Sequence, residues 1–187
     1  RYVNNNQLET LTLNNPVLES LNCSNNLLTT LDTSSSTGLN SLNCSNNELT
    51  TLDVSKNVNL YYFNCENNHL TSLDLTNVDL GGGWYMDQKL TLDLVTLSPT
   101  EVGFMVDDTF NPENVSGLYV DYAETEAKYV TVNGKRYFVV YGDASKATDL
   151  KEKPISYYYK TGKEGYDLVI NLTVNEIVKS ETIIEME

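Results

Sequence analysis

The chain has 187 residues, with 26 acidic and 12 basic side chains and a net charge of −14 at pH 7. This charge argues against nucleic acid as a partner, because a protein that binds phosphates must supply Lys and Arg to displace counterions. It also disfavours binding to anionic membrane surfaces, and the length leaves room for one elongated body of two modules.

Three cysteines mark a repeat of 21 residues. Cys23, Cys44 and Cys65 each follow the pattern Leu-x-x-apolar-Asn-Cys, and a shorter Leu-x-x-Leu-Asp pattern lies between them. A unit of this length cannot bury its own apolar edge, so the period predicts a solenoid of stacked coils over residues 1–80. The centre of each pattern is expected to be a short parallel strand, with Leu21 and Cys23 inward and Asn22 outward.

Equivalent residues of successive coils should form columns along the stack, because parallel strands lie about 4.8 Å apart. A column of asparagines follows the strands and can satisfy turn N–H and C=O groups that lack partners. The cysteine column is interpreted as small apolar core residues, since singly spread thiols suit neither a zinc cluster nor a disulfide framework. The predicted structural ladder consists of Cys23, Cys44, Cys65, Asn26, Asn47 and Asn68.

A third column contains Asp32, Asp53 and Asp74, on the outward side of the other half-repeat. Like charges at this spacing repel. Two interpretations stay open: the carboxylates are solvated and hydrogen-bonded to neighbouring Ser and Thr hydroxyls, or they hold a cation such as Ca²⁺. Beyond that column no metal site is predicted, and no cofactor is expected.

The segment Leu-Asn-Cys-Ser-Asn-Asn-x-Leu-Thr-Thr-Leu-Asp resembles the cysteine-containing leucine-rich repeats of internalin-type proteins and of many secreted or surface proteins of the Bacteroidetes. The resemblance covers residues 1 to about 80. It implies a leucine-rich-repeat fold and an extracellular binding protein of a bacterium, secreted or held at the cell surface. It does not identify a ligand.

The chain begins partway through a repeat. Asn6 and Leu8 align with Asn26 and Leu28, which places Val3 in the cysteine column. Because the ends of a solenoid need polar caps, we expect a secretion signal and further repeats upstream. The sequence contains no apolar run long enough to span a membrane, so no membrane insertion is expected.

The repeat pattern is interpreted as ending at Gly81-Gly82-Gly83-Trp84, with residues 81–97 as a capping or transition segment. Lys89 to Leu97 alternates as a strand does. Residues 98–175 predict a small antiparallel, Ig-like β-sandwich, so the whole chain is mainly β. The clearest signals are a hairpin around Asn133-Gly134 and a second from Ile155–Tyr159 to Tyr166–Val174. Residues 176–187 are an extra strand, a linker or a frayed tail.

No enzymatic activity is predicted. His69 is the single histidine and occupies the variable slot that holds Leu27 and Glu48 in the other coils, so it is interpreted as a solvated turn residue. No Ser or Cys motif supplies a nucleophile with an oriented base. A pair of carboxylates can hydrolyse a glycoside. With 26 acidic residues, however, some pairs are expected to lie close by chance, so a close pair does not by itself predict activity.

The candidate binding surface is the outward face of the repeat strands, predicted to be concave. It is polar and nearly uncharged, and it ends in aromatic residues, which are common in interface hot spots and stack on sugar rings. The candidate ligand-binding residues are Asn22, Asn43, Asn64, Tyr61, Tyr62, Trp84 and Tyr85. Ser24, Ser45 and Asn25, Asn46, Asn67 complete the predicted face. The tyrosines alternatively cover the junction with the β domain.

The sequence therefore predicts a binding module that engages a host or microbial surface protein in protein–protein interaction or adhesion. The alternative is a polysaccharide-binding or scaffold module of a larger surface protein, in which the partner is a glycan.

Overall fold

The computed structural model describes residues 1–82, 84–141 and 149–179. It divides into two compact units. The first contains Arg1–Lys89 together with Tyr159–Ile170, and the second contains Leu90–Tyr158 and the chain from Asn171 onward.

Four short strands of the first unit form a parallel sheet. These are β1 (Ser20–Asn22), β2 (Ser41–Asn43), β3 (Tyr62–Asn64) and β4 (Trp84–Tyr85), paired in chain order. Leu21 pairs with Leu42, and Leu42 with Phe63, so the 21-residue period sets the register. Tyr2 bridges to Asn22 in the same direction. This bridge confirms that Val3 lies beside Cys23.

Leucines of successive coils form the core of the first unit. Leu21, Leu42 and Phe63 point inward from the strands, and the alternation of burial along each strand is the one that the pattern predicts. The remaining fully buried leucines follow the strands or precede them: Leu28, Leu39, Leu49, Leu60, Leu70 and Leu75. Stacking of coils therefore supplies the burial that a single coil lacks.

The repeat pattern does not end where the glycines begin, which corrects the interpretation of Gly81-Gly82-Gly83-Trp84 as its end. Phe63 pairs with Trp84 and Asn64 with Tyr85, which adds a fourth parallel strand at the same 21-residue spacing. Met86 is buried and occupies the position that Cys65 occupies one coil earlier. Gly83 lies outside the described residues.

Eight further strands form one sheet in the order β8-β7-β11-β12-β5-β6-β10-β9. Their bounds are β5 Gln88–Ser98, β6 Glu101–Met105, β7 Val115–Val120, β8 Ala123–Thr125, β9 Lys128–Val132, β10 Lys135–Tyr141, β11 Ile155–Tyr159 and β12 Leu168–Lys179. A 3₁₀ turn, Pro112–Asn114, precedes β7, and residues 149–152 form another. The described chain is thus mainly β with almost no helix.

The core of the second unit is an aromatic cluster. Phe104 of β6 stacks on Tyr157 of β11 at a centroid distance of 6.1 Å, and Phe138 of β10 contacts both rings. Phe110 closes the cluster. Since β6 and β11 are not neighbours in the sheet, the sheet folds over so that its halves face each other. An Ig-like sandwich has two separate sheets. Here, by contrast, both halves belong to one hydrogen-bonded sheet that is continuous through β12 and β5.

The hairpin predicted at Asn133-Gly134 is confirmed. Lys135 pairs with Val132, and the two turn residues have φ of 52° and 74°, which a tight type I′ turn requires. In β11, Tyr157 and Tyr159 are buried while Tyr158 is partly exposed. Tyr157 and Tyr159 therefore share the core face of β11, and Tyr158 lies on the other face.

The connection between β11 and β12 packs on the last coil of the first unit, a role that its sequence did not indicate. The carbonyl of Thr161 accepts a hydrogen bond from the amide N of Leu75 at 2.7 Å. Lys163 Nζ donates to the Val78 carbonyl, and the Tyr166 hydroxyl donates to the Leu80 carbonyl at 3.1 Å. These bonds give partners to backbone groups of residues 75–80.

Residues 176–179 extend β12, and residues 180–187 of the predicted tail lie outside the described residues. Among the residues that the structure describes, no helix has the length and apolar character to cross a bilayer.

Two glycines in the β11–β12 connection allow a matched test of this packing. Gly162 (φ 82°) would bring a Cβ into collision with Thr76 Oγ1, whereas Gly165 (φ 80°) has open space around it. We expect Gly162→Ala to lower the free energy of unfolding by about 3 kcal/mol, from backbone strain plus the clash. Gly165→Ala should lower it by about 1 kcal/mol, from strain alone. Urea unfolding measures both, and equal losses would contradict the packing described here.

Candidate functional site

Side-chain amides link each coil of the first unit to the coil before it. Asn47 Nδ2 donates to the carbonyl oxygens of Cys23 at 3.1 Å and Cys44 at 3.0 Å. Its Oδ1 accepts from the amide N of Leu28 at 3.0 Å. Asn26 and Asn68 make the equivalent bonds in their own coils. All three amides are buried, so each fixes the register of two adjacent coils.

Gln88 adds a fourth amide to this ladder. Its Oε1 accepts from the amide N of Leu70, and its Nε2 donates to the carbonyls of Cys65 and Met86 at 2.9 Å. Sequence reasoning missed this residue because the 21-residue period makes Lys89, not Gln88, the residue equivalent to Asn68 in the next coil. The longer glutamine side chain reaches the same groups from one residue earlier in the chain.

The other half-repeat holds a second buried polar set that the sequence analysis also missed. Asn57 Nδ2 donates to the carbonyls of Thr33 and Ser36, and Asn57 Oδ1 accepts from Thr33 Oγ1 at 2.6 Å. All three residues are buried. No repeated residue type marks this position, so periodicity alone gives no signal for it.

The three cysteines are buried free thiols in one column. Burial raises the pKa of Cys23 to about 12. It also raises the pKa of Cys44 and Cys65, and for Cys44 the neighbouring thiols add to the shift. A thiolate is strongly disfavoured in such surroundings. This column therefore has the character of core packing.

Each aspartate of the exposed column accepts a hydrogen bond from the amide N two residues later: Ser34, Ser55 and Thr76 at 2.8–2.9 Å. The Ser34 side chain, with its backbone N–H, lowers the pKa of Asp32. The Ser55 backbone N–H, with its side chain, lowers the pKa of Asp53. Within residues 1–82, 84–141 and 149–179, no three thiol, imidazole or carboxylate groups converge as a metal would require.

The first asparagine of each Asn-Asn pair has left-handed backbone. Asn25, Asn46 and Asn67 have φ between 53° and 55°, as does Asn5 with 57°. Asparagine tolerates this region better than other non-glycine residues. Besides their predicted place in the binding face, these residues thus have a conformational role, because they allow the left-handed turn. Asn67 Nδ2 also donates to Asn46 Oδ1 at 3.0 Å.

Ser24 and Ser45 are buried, so the expectation that they face outward is wrong. Asn22 Oδ1 accepts from both the amide N and the Oγ of Ser24, at 3.1 and 2.7 Å, and Asn43 binds Ser45 in the same way. Asn64 Oδ1 accepts from the amide N of Glu66. The serine hydroxyl is drawn under its asparagine by this bond, which removes it from the surface.

The partly exposed asparagines form one file on the outer face of the parallel sheet: Asn22, Asn43 and Asn64. Their Oδ1 atoms are engaged by their own turns. In the part of the chain that the structure describes, their Nδ2 groups make no hydrogen bond. The file therefore offers amide donors to a ligand, spaced by about 4.8 Å.

Tyrosines stand at both ends of this file. Tyr85 pairs with Asn64 and is 54% exposed, and Tyr2 pairs with Asn22 and is 78% exposed. Tyr2 was not among the predicted binding residues, although its alignment with Asn22 follows from Val3 and Cys23. We call the row Tyr2, Asn22, Asn43, Asn64 and Tyr85 the outer file.

Tyr61 lies beside the outer file with its ring on bare backbone. A Cβ on Gly82 would stand 2.6 Å from Tyr61 Cε1, and one on Gly81 would collide with the ring edge. The Tyr61 carbonyl accepts from the amide N of Gly82 at 2.9 Å. One ring face is thus packed, and the side chain is 59% exposed. Glycines in this coil make room for an aromatic ring at the surface.

The other predicted aromatic residues are placed as follows. Tyr62 is half-buried in β3. Trp84 pairs with Phe63 through its backbone, and its side chain lies outside the described part of the structure. His69 is exposed in the slot shared with Leu27 and Glu48.

The stacked coils, short parallel strands and buried leucines define a leucine-rich-repeat-like fold. A solved structure described as the functional domain of InlJ from Listeria monocytogenes, which includes a cysteine ladder, is similar to this chain, with a TM-score of 0.55 and 20% sequence identity. The match covers 89% of this chain and 36% of that one. No family model and no curated protein matches the chain.

Removing one amide of the ladder should destabilise the first unit. Asn47→Ala leaves the Leu28 N–H and the Cys23 carbonyl without this partner in a buried site. We expect a loss of about 3 kcal/mol in the free energy of unfolding, measured by urea. Asn40→Ala is the control, because Asn40 is exposed and should change stability by no more than about 0.5 kcal/mol. Similar losses for both variants would contradict a ladder role.

The thiols should be protected in the folded protein. At about pH 8 the raised pKa of Cys23 and the burial of all three sulfurs keep the thiolate population low, so we expect little reaction with a disulfide reagent such as DTNB. Reactivity should appear only as the pH approaches the raised pKa or when guanidinium unfolds the chain, which releases 3 thiols. Rapid reaction of the native protein would show that the column is accessible.

Proposed function

We propose that this chain is a non-enzymatic binding module of a secreted or surface-anchored bacterial protein, of the kind its repeats resemble in the Bacteroidetes. In this proposal a leucine-rich-repeat solenoid carries the ligand-binding face and an Ig-like β domain follows it. The likeness to the functional domain of InlJ supports the repeat fold and, through it, the proposed setting.

The observation that carries the proposal is the outer file. Three amide N–H₂ groups at a regular spacing lie between two exposed tyrosines, Tyr2 and Tyr85, across about 19 Å, which is four strand spacings of about 4.8 Å. The file itself carries no charged side chain. Donors of this kind suit a partner surface rich in carbonyl acceptors, and tyrosines supply contact area at low entropic cost. We propose a host or microbial surface protein as the partner.

A glycan is the second candidate partner, and one observation favours it. The Tyr61 ring packs against Gly81 and Gly82 while the side chain stays 59% exposed, so part of the ring remains open to a ligand. Such a ring can stack on the C–H face of a sugar. An array that carries both cell-surface proteins and glycans separates the two candidate partners.

The aromatic residues can be tested on an array that carries both cell-surface proteins and glycans. We expect Tyr61→Ala combined with Tyr85→Ala to weaken the captured partner's affinity by about tenfold or more, as for central aromatic hot spots. Val58→Ser, which changes an exposed apolar residue outside this face, should leave affinity unchanged. Undiminished binding by the double tyrosine variant would rule out this face.

The amide donors can be tested without disturbing the turn. Asn43→Asp keeps the oxygen that accepts from Ser45 but replaces the N–H₂ donor with an anion. We expect unchanged thermal stability and an affinity for the captured partner reduced by about tenfold. Asn40→Asp adds the same charge at an exposed neighbouring position and serves as the matched control. Equal effects from both would assign the loss to charge, not to the lost donor.

A further inference from the structure

The second unit has a pocket of its own. It has a volume of about 240 Å³ and is lined by Tyr119, Tyr122, Tyr158, Pro154, Ser156 and Asn171, with the buried Ile155 at its base. Gly117 and Tyr119 of β7 and Ser156 and Tyr158 of β11 lie opposite the aromatic core, since their strand neighbours Leu118 and Tyr157 are buried. The pocket is therefore on the solvent side of the folded sheet.

Two of its rings are fixed before any ligand arrives. Tyr119 and Tyr158 meet edge to face, with centroids 5.7 Å apart. A Cβ on Gly117 would stand 2.9 Å from Tyr119 Cε2, so the Tyr119 ring lies on bare backbone. Rings held in this way lose little entropy when a ligand binds.

The third ring is presented at a conformational cost. Tyr122 has φ of 64° and follows Asp121, with φ of 53°, in the two-residue turn between β7 and β8. In the described residues, every left-handed position apart from Asp121 and Tyr122 is occupied by Asn or Gly. Tyr122 is 87% exposed, so burial does not offset the strain. Strain of this kind marks functional positions.

The turn that carries Tyr122 is anchored to the pocket wall. The amide N of Asp121 donates to the Pro154 carbonyl at 2.9 Å, and its carboxylate pairs with Lys153 at 3.2 Å. This pair is mutually neutralising, and the lining itself contains no charged side chain. The net charge of −14 further opposes an anionic ligand.

From these observations we propose that the pocket binds an uncharged sugar ring of a glycan. Tyrosine faces suit the C–H face of a sugar, while the hydroxyl of Ser156 suits its hydroxyl rim. The volume lies below the roughly 300–1,000 Å³ of pockets for larger ligands. It fits one ring, with the rest of the chain outside. This site is independent of the outer file.

The test uses isothermal titration of the whole chain with neutral hexasaccharides of glucose, mannose, xylose and galactose. An oligogalacturonate is the anionic comparison and decaproline the peptide comparison. We expect one neutral sugar to bind and the anionic one to fail. No binding by any neutral sugar overturns the proposal. Binding of decaproline through Tyr122 in place of a sugar overturns the sugar assignment.

Tyr122→Asn separates a binding role from a structural one. Asparagine suits the left-handed turn, so the variant should unfold at the same or a higher Tm while its sugar affinity falls about tenfold. Tyr122→Phe should keep most of the affinity, because the ring remains. Val58→Ser, which changes an exposed apolar residue outside both proposed sites, is the control and should not change sugar binding here. An unchanged affinity in Tyr122→Asn overturns the proposal, whatever happens on the repeat face.

Discussion

The first unit depends on side-chain amides that complete backbone hydrogen bonding between coils. The parallel strands are three residues long or shorter, and backbone bonds between coils continue past their ends. The buried Leu28 N–H, by contrast, bonds to an asparagine side chain of the next coil. An unpaired buried N–H or C=O is costly. Asn47 bonds to the coil before it and to its own turn with one planar group. A shift of one coil by one residue would break these bonds and turn the leucines outward, so the amides and the leucines enforce the same register.

The Asn-Asn pairs show why residue type alone does not give residue role. Asn46 and Asn47 are adjacent and chemically identical, yet their roles differ. Asn46 adopts the left-handed backbone of the turn, whereas the buried amide of Asn47 bonds to backbone carbonyls. The period places both in columns, and columns are what the sequence predicts. Whether a column faces solvent or core depends on backbone dihedrals at the turn. Ser45 was predicted to face outward, but its hydroxyl donates to Asn43 Oδ1 and the side chain is buried.

Local patterns of the chain were predictable and long-range ones were not. The 21-residue period gives the register of β1 to β3, and Asn133-Gly134 gives its hairpin, because both depend on near neighbours or on exact repetition. The continuation of the repeats into Trp84 and Met86 was not predicted, because Gly81 stands where the period places a leucine. The Tyr61 ring, which packs against Gly81 and Gly82, explains why glycines occupy these positions. The packing of Lys163 and Tyr166 on the last coil joins residues more than 80 positions apart. No local signal encodes such a contact.

The two units share one way of presenting tyrosine. Tyr61 rests on Gly81 and Gly82, and Tyr119 rests on Gly117, so in each case a missing Cβ lets a ring lie against backbone. A ring held on one face keeps the other available and loses little freedom when a ligand covers it. A tyrosine standing free on a strand would have to be ordered by its ligand, at a cost of about 0.5–1.5 kcal/mol for each immobilised side chain. In the proposed binding role, glycine beneath the ring removes part of the entropic cost of binding. Its position in the sequence, one coil after Tyr61 or two residues before Tyr119, marks the tyrosines whose rings rest on backbone.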